Sequence, residues 1–281
     1  MSCFRELRQQ LAGMFLAAGV ETPAVDAERL IAETAGFPRA ELFLRGEEPV
    51  PEPLERSILR LAECRAAREP LQYLTGRAAF MDLELEVNSD VLIPRPETEL
   101  LVEWAVRHLP QGGALLDLGT GSGAIALSVA AMRPDVSVTG VDLSPAALRV
   151  AERNRRRYCL ERVRLLESDL FSAVAGEKFD LVAANLPYVT EEEYPALSPE
   201  VREFEPRLAL VAGDGGMALI ARAVRDLAGF LTPGGRAIFE LSPPQAPRLE
   251  RMLAETGAFA GIEVIQDYTR RDRFVAARRN G

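Results

Sequence analysis

The chain has 281 residues, 48% of them hydrophobic and 27% charged, proportions of folded domains and too apolar for a disordered segment. Its 33 Lys plus Arg against 42 Asp plus Glu leave a formal net charge of -9. Wrapping duplex DNA or an anionic membrane needs a cationic surface, so neither is expected as the main task, although a local basic groove can sit on an acidic body.

Cys3, Cys64 and Cys159 are far apart and form no C-x-x-C pair, so neither a disulfide framework nor a thiolate zinc site is legible and no metal is expected. His108 is the single histidine, which removes Ser-His-Asp schemes unless that residue serves. The apolar run Leu11–Val20 is preceded by Glu6, and Phe4, Leu7, Leu11, Phe15 and Ala18 recur at helical spacing, so an amphipathic helix is expected there and not a signal peptide. No stretch reaches membrane-spanning length, and a cytoplasmic protein is the expectation.

Residues 1–70 read as a small helical bundle. Thr22-Pro23 is a helix start with a hydroxyl N-cap, and Leu54, Ile58, Leu61 and Ala62 give a further amphipathic helix. Residues 71–96 read as a hairpin and linker. Phe80–Val87 alternates apolar and acidic residues, and the prolines of Leu92-Ile93-Pro94-Arg95-Pro96 exclude helix. Over 97–281, short apolar runs alternate with helical patterns. Strands are expected at Ala114–Leu118, Ser137–Val141, Val163–Glu167, Leu181–Asn185, Arg236–Leu241, Ile262–Ile265 and Phe274–Ala277. This is the pattern of an α/β, doubly wound and mostly parallel sheet, with the last two strands too close in sequence for anything but antiparallel pairing.

The strongest local signal is Asp117-Leu118-Gly119-Thr120-Gly121-Ser122-Gly123, where a strand ends, glycines turn the chain and a helix opens. Asp142 ends the next strand, at the offset where a carboxylate grips ribose hydroxyls. A nucleoside cofactor follows. The glycines also satisfy a dinucleotide fingerprint, but Asp117 beside the loop would repel a pyrophosphate and suits the cationic S-adenosylmethionine. The alternative is that Asp117 only hydrogen-bonds loop amides. Asp169, after the third strand, could accept from an adenine amino group or could cap a helix. His108, near the end of its helix, complements the helix dipole.

Asn185-Leu186-Pro187-Tyr188 ends the fourth strand, beside the glycine loop. The Asn185 side-chain carbonyl and the Leu186 backbone carbonyl can each accept one N–H of an NH2 group, orienting its nitrogen for in-line methyl transfer. Tyr188 offers a flat face for an amide or a base, and Pro187 stiffens the turn. No general base is needed, because an N-alkylated amide cation is acidic enough to lose its proton to water. On its own the tetrapeptide could be an ordinary Asn-Pro turn.

The chain resembles the N5-glutamine methyltransferases that modify peptide chain release factors. The resemblance is carried by Glu69-Pro70-Leu71-Gln72-Tyr73-Leu74-Thr75-Gly76, Ile93-Pro94-Arg95-Pro96-Glu97-Thr98-Glu99, the glycine loop, Asn185-Leu186-Pro187-Tyr188, Glu205-Pro206-Arg207, Gly213-Asp214-Gly215-Gly216, and Asp267-Tyr268 through Arg273. It implies a seven-stranded Rossmann-like S-adenosylmethionine-dependent methyltransferase domain behind the helical bundle. It further implies that the cofactor lies against Gly119–Gly123, Asp142, Asp169, Leu170 and Asn185. The acceptor would be the glutamine of a release factor's Gly-Gly-Gln loop, gripped by Asn185 and Leu186, with the helical domain docking the factor. Leu186 replaces the family's usual proline, and Ser242 stands where a glycine is frequent. The runner-up is an adenine N6-methyltransferase, whose basic groove would have to come from Arg153, Arg155, Arg156 and Arg157, otherwise a solvated helix face. A silent cofactor-binding scaffold would not need Asn185 and Tyr188, and an NAD-dependent dehydrogenase lacks an evident proton donor near the fourth strand.

Overall fold

A computed structural model describes residues 2–281, which form two compact units. One takes the described residues through Arg77 together with Ser198–Phe204, and the other spans Ala78–Leu197 and Glu205–Gly281. The first unit therefore recruits a short segment that its sequence position leaves inside the second.

In the first unit the helices are α1 (Phe4–Ala17), α2 (Pro23–Ala35), α3 (Arg39–Leu44), α4 (Glu52–Ala66) and α5 (Leu71–Thr75). Phe4, Leu7, Leu11 and Phe15 form the inner stripe of α1 and pack with Leu30 and Ile31 of α2 and Ile58 and Ala62 of α4. Pro23 sits in the first turn of α2, but the Thr22 hydroxyl does not cap it: it donates to the Asp26 carboxylate at 2.8 Å. Asp26 is engaged because the unit buries a charge network. Arg65 on α4 reaches Asp26 at 2.7 Å and Glu200 at 3.1 Å, and Arg68 clamps Glu200 at 2.6 Å. These bonds hold the recruited segment to the helices.

The second unit opens with a hairpin, β1 (Arg77–Phe80, beginning one residue earlier) and β2 (Leu83–Glu86), whose alternation buries Phe80, Leu83 and Leu85 and turns Glu84 outward. Then follow α6 (Pro96–His108), β3 (Ala114–Leu118), α7 (Ala124–Met132), β4 (Ser137–Asp142), α8 (Pro145–Arg157), β5 (Arg164–Glu167), β6 (Phe179–Ala184), α9 (Ala218–Phe230), β7 (Leu231–Glu240), α10 (Ala246–Glu255), β8 (Phe259–Gln266) and β9 (Asp272–Arg279). The seven-stranded sheet has the order β5-β4-β3-β6-β7-β9-β8. Its first five strands are parallel, while β9 pairs antiparallel with both β7 and β8. Leu115 faces one apolar core and Leu116 and Leu118 the other, as alternation in a strand requires. Helix α7 is buried from Ala124 to Ala130 and is not amphipathic, since α6 packs over it.

Arg153, Arg155, Arg156 and Arg157 of α8 lie in ion pairs with carboxylates: Arg153 with Glu86 and Arg157 with Glu84 of the hairpin, Arg155 and Arg156 with Glu152. His108 donates from Nδ1 to the Trp104 carbonyl at 2.8 Å and stacks on that indole. Among the described residues, no helix is long and apolar enough to cross a membrane and no His, Cys, Asp and Glu cluster could hold a metal ion.

Candidate active site

The sheet grows both ways from β3, with β4 on one side and β6 on the other. Open parallel sheets bind ligands at the carboxyl ends of their strands at such a switch point. Leu118 is in register with Val141 and with Ala184, so Gly119, Asp142 and Asn185 leave the sheet side by side. A cleft of about 1110 Å³, its solvent-open mouth included, lies there.

The glycine loop forms its floor. Gly119 adopts φ +73°, and a Cβ built on it would meet the Leu186 side chain at 3.2 Å, so a larger residue would be strained on both counts. The Gly119 and Thr120 amides donate to the Val141 carbonyl at 2.9 Å. Asp142 accepts from Gly121 N at 2.8 Å and Ser144 N at 2.9 Å, fixing its carboxylate at the cleft edge. Burial raises its pKa against the pull of those amides. From behind, Asn154 of α8 donates to the Ser122 carbonyl at 2.9 Å.

Gly119, Thr120, Gly121, Ser122, Asp142, Asp169, Leu170 and Asn185 all line the cleft, as do Leu186 and Pro187. Asp117, Gly123 and Tyr188 do not. Asp117 has no exposed surface: one oxygen accepts from the Thr120 hydroxyl at 2.7 Å and the Ala126 amide at 3.2 Å, while the other has no partner. Burial pushes its carboxyl up to about 7. In this structure Asp117 braces the loop from inside and does not face a ligand. Gly123 precedes α7 at φ +85° and shapes the turn. The Tyr188 ring packs against the core beside β6, and burial, then the nearby Glu240, pushes its phenol up to about 12. Asp169 does not cap a helix: the Ser168 and Ser172 hydroxyls satisfy the local amides, and Asp169 pairs with Arg222 of α9 at 2.7 Å.

Asn185 is held by a contact that residue patterns do not announce. Its Nδ2 donates to the Thr98 hydroxyl at 3.2 Å, which leaves the side-chain carbonyl as the end available to the cleft. Three residues further on, the Tyr188 carbonyl accepts from Gln245 Nε2 at 2.7 Å, and the same nitrogen donates to Gly215 O at 3.1 Å. Gly216 is where this close approach demands glycine, because a Cβ would fall 2.0 Å from the Tyr188 carbonyl. The cleft's outer wall joins residues 90–98 to 206–209. Glu205, almost fully buried, fastens that wall by accepting from Ile93 N at 3.1 Å and Arg95 at 2.6 Å. Thr98, Arg95, Glu205, Asn154, Gln245 and Gly216 therefore shape the site although sequence reading gives them no role. Several lie in the motifs that carry the family resemblance, and that was the available signal.

A glycine loop after β3, a carboxylate after β4 and an Asn-Leu-Pro-Tyr turn after β6 define a Rossmann-like methyltransferase. Residues 96–203 match the model of the methyltransferase small domain, and a methyltransferase from Pyrococcus furiosus superposes with a TM-score of 0.55 at 18% identity, over 72% of this chain and 92% of that one. The chain belongs to the release factor glutamine methyltransferase family. Residues 6–76 match the PrmC N-terminal domain. The chain is similar to the release factor glutamine methyltransferases of Geobacter sulfurreducens (38% identical, covering 98% of this chain and 96% of that one) and Deinococcus radiodurans (39%, covering 99% of each).

Proposed function

We propose that the protein uses S-adenosylmethionine to methylate the side-chain amide nitrogen (N5) of the glutamine in the Gly-Gly-Gln loop of peptide chain release factors. The observation that carries this reading is the Asn185 amide, anchored through its nitrogen on Thr98 with its carbonyl left for a donor in the cleft. The cleft fits the cofactor. Asp90, Asp142 and Asp169 line the cleft, the last paired with Arg222, and Arg95, the one cation on its wall among the described residues, is spent on Glu205. That balance suits a ligand carrying an ammonium and a sulfonium better than one carrying a pyrophosphate. The residues that would hold it are Gly119, Thr120, Gly121, Ser122, Asp142, Asp169, Leu170 and Asn185. Bound there, the cofactor supplies an electrophilic methyl group.

This chain's contribution is orientation. The Asn185 side-chain carbonyl and the Leu186 backbone carbonyl take the two N–H bonds of the glutamine amide, which sets the plane of a poorly nucleophilic nitrogen. Both acceptors are fixed before reaction, so they stabilise positive charge as it builds on that nitrogen without reorganising. Tyr188 acts from below by keeping the turn in place. The helical unit docks the release factor body, and the work is done in the cytoplasm. The ion pairs of Arg153, Arg155, Arg156 and Arg157 with Glu86, Glu152 and Glu84 support a protein acceptor over a nucleic acid, since neighbouring carboxylates offset the charge of that run.

The test is mass spectrometry of release-factor peptides after incubation with enzyme and S-adenosylmethionine. A methyl group is expected on the Gly-Gly-Gln glutamine, absent when that glutamine is replaced and absent with Asn185→Ala. Equal labelling of duplex DNA, or full turnover by Asn185→Ala, would overturn the reading.

A further inference from the structure

Asn185 is useful to the proposed reaction only while its carbonyl, not its NH2, faces the cleft. An Asn side chain can present either end to the cleft, so something must choose. Behind Asn185 lie two more groups: its Nδ2 is 3.2 Å from the Thr98 hydroxyl, and Glu240, one residue past the Phe239 that is in register with Ala184, ends β7 alongside it, with its carboxyl pulled down in pKa by that same hydroxyl. Glu240 is 1% exposed, and its Oε2 has no hydrogen-bond partner. The position is costly for a carboxylate, and the cleft chemistry itself does not use it.

We propose that Glu240 is a positioning residue that sets, through the Thr98 hydroxyl, which end of the Asn185 amide faces the cleft. This inference rests on the amide-methylation reading and names the group that controls its acceptor. An ionised carboxylate can only accept, so the Thr98 O–H donates to Glu240 and its oxygen must accept from Asn185 Nδ2. That is the direction the structure records, and the Asn185 carbonyl is then turned to the substrate. Protonated Glu240 can donate instead. Its O–H goes to the Thr98 oxygen, the Thr98 O–H goes to Asn185 Oδ1, and the Asn185 NH2 then opposes the NH2 of the substrate, donor against donor.

Burial places the switch in a titratable range. Burial pushes the Glu240 carboxyl up to about 7; the Thr98 hydroxyl, Arg273 of β9 and Arg95 ahead of α6 pull it down, and Glu97 pushes it up. Tyr188 also faces it and stays a neutral phenol throughout. The ionised relay is therefore populated above neutrality and lost as pH falls through that value.

The test has two readouts. The chain has only four asparagines, Asn88, Asn154, Asn185 and Asn280, so selective nitrogen-15 labelling gives four side-chain amide pairs, with Asn185 assigned by its loss in Asn185→Asp. Its resonance is expected to titrate with a midpoint near 7 in the full-length protein and to stop titrating in Glu240→Gln. In parallel, kcat for release-factor methylation should fall about tenfold per pH unit below that midpoint, with KM for S-adenosylmethionine little changed. Glu240→Gln should flatten the profile. Thr98→Val, which removes only the hydroxyl, should flatten it too, whereas Thr98→Ser retains it. An Asn185 resonance that ignores pH, or an inflection that persists in Glu240→Gln or Thr98→Val, overturns the proposal. If the resonance titrates as described yet no release factor is methylated at any pH, the relay stands and the substrate reading falls.

Discussion

Replacing Asn154 by Ala should loosen the cleft from behind without replacing any residue that lines it. Asn154 is wholly buried and makes three bonds: Nδ2 donates to Glu86 O at 3.0 Å and Ser122 O at 2.9 Å, and Oδ1 accepts from Glu86 N at 2.7 Å. One side chain thus ties α8 to the hairpin and to the glycine loop. At about 1 kcal/mol net per bond, the loss is about 3 kcal/mol, and more if the vacated backbone groups stay dry. For a chain of this size that corresponds to a fall in Tm of roughly 6–12 °C. Asn154→Asp should be worse at neutral pH, because a carboxylate would then face the Glu86 and Ser122 carbonyl oxygens. Its folded-state pKa would be raised, so the stability it contributes is present at low pH, where the protonated carboxyl donates to one carbonyl, and is lost as pH rises through that pKa. Thermal unfolding of the three proteins across pH is the assay. A Tm for Asn154→Ala within about 2 °C of the parent, or an Asp variant more stable than the Ala variant at neutral pH, would refute the assignment.

Two further changes test the site's supports, and one tests the helical unit. Gly216→Ala sets a Cβ 2.0 Å from the Tyr188 carbonyl at a backbone φ of +78°, so the variant should lose several-fold in kcat and melt at lower temperature. Circular dichroism melting and the methylation assay check both. Asp117 holds its proton to about 7 when folded and releases it near 3.8 when unfolded, so its share of stability is full at low pH and lost as pH rises through about 7. Denaturant unfolding from pH 4 to 8 should show Asp117→Asn removing about 1.4 kcal/mol per pH unit of that decline. Arg65→Met leaves Asp26 buried and Glu200 half-clamped, which should cost about 3–5 kcal/mol by the same denaturant titration.

The parts of the molecule legible in the sequence were those whose chemistry is local. The glycine loop, Asp142 and Asn185 each follow a strand that its own apolar run announces, and the parallel order places them together at one edge. Asp117 shows the limit of this reasoning. Charge logic aims a carboxylate at a cationic ligand, but the sequence does not say which way the strand faces, and Asp117 turns inward to Thr120 and Ala126. Tyr188 fails for a related reason, since its ring goes to the core beside β6 while its backbone carbonyl is what the site uses. The pairing of Arg153 and Arg157 could not be read either, because their partners Glu86 and Glu84 lie on a hairpin far away in sequence. The same separation hid Thr98, Glu205, Asn154 and Gln245, polar residues whose partners meet them only once the chain has folded.

The Ile93–Glu99 segment shows why a motif without an obvious chemical group can still mark a family. Ile93 N and the Arg95 guanidinium both go to Glu205, Thr98 receives Asn185, and Glu99 accepts the Met81 amide of the hairpin turn at 2.7 Å. Arg95, Thr98 and Glu99 each answer to a different element, so the segment is where the outer wall, the acceptor turn and the hairpin are brought into one register. The same view explains how Leu186 can stand in for a proline. A proline would stiffen the turn from within by fixing φ. Here the Leu186-Pro187 pair is held from outside, by Thr98 on Asn185 at one end and Gln245 on the Tyr188 carbonyl at the other. The Leu186 side chain is buried and comes close to Gly119. What the turn needs is a backbone carbonyl fixed in direction, and two flanking anchors with a buried leucine between them supply it.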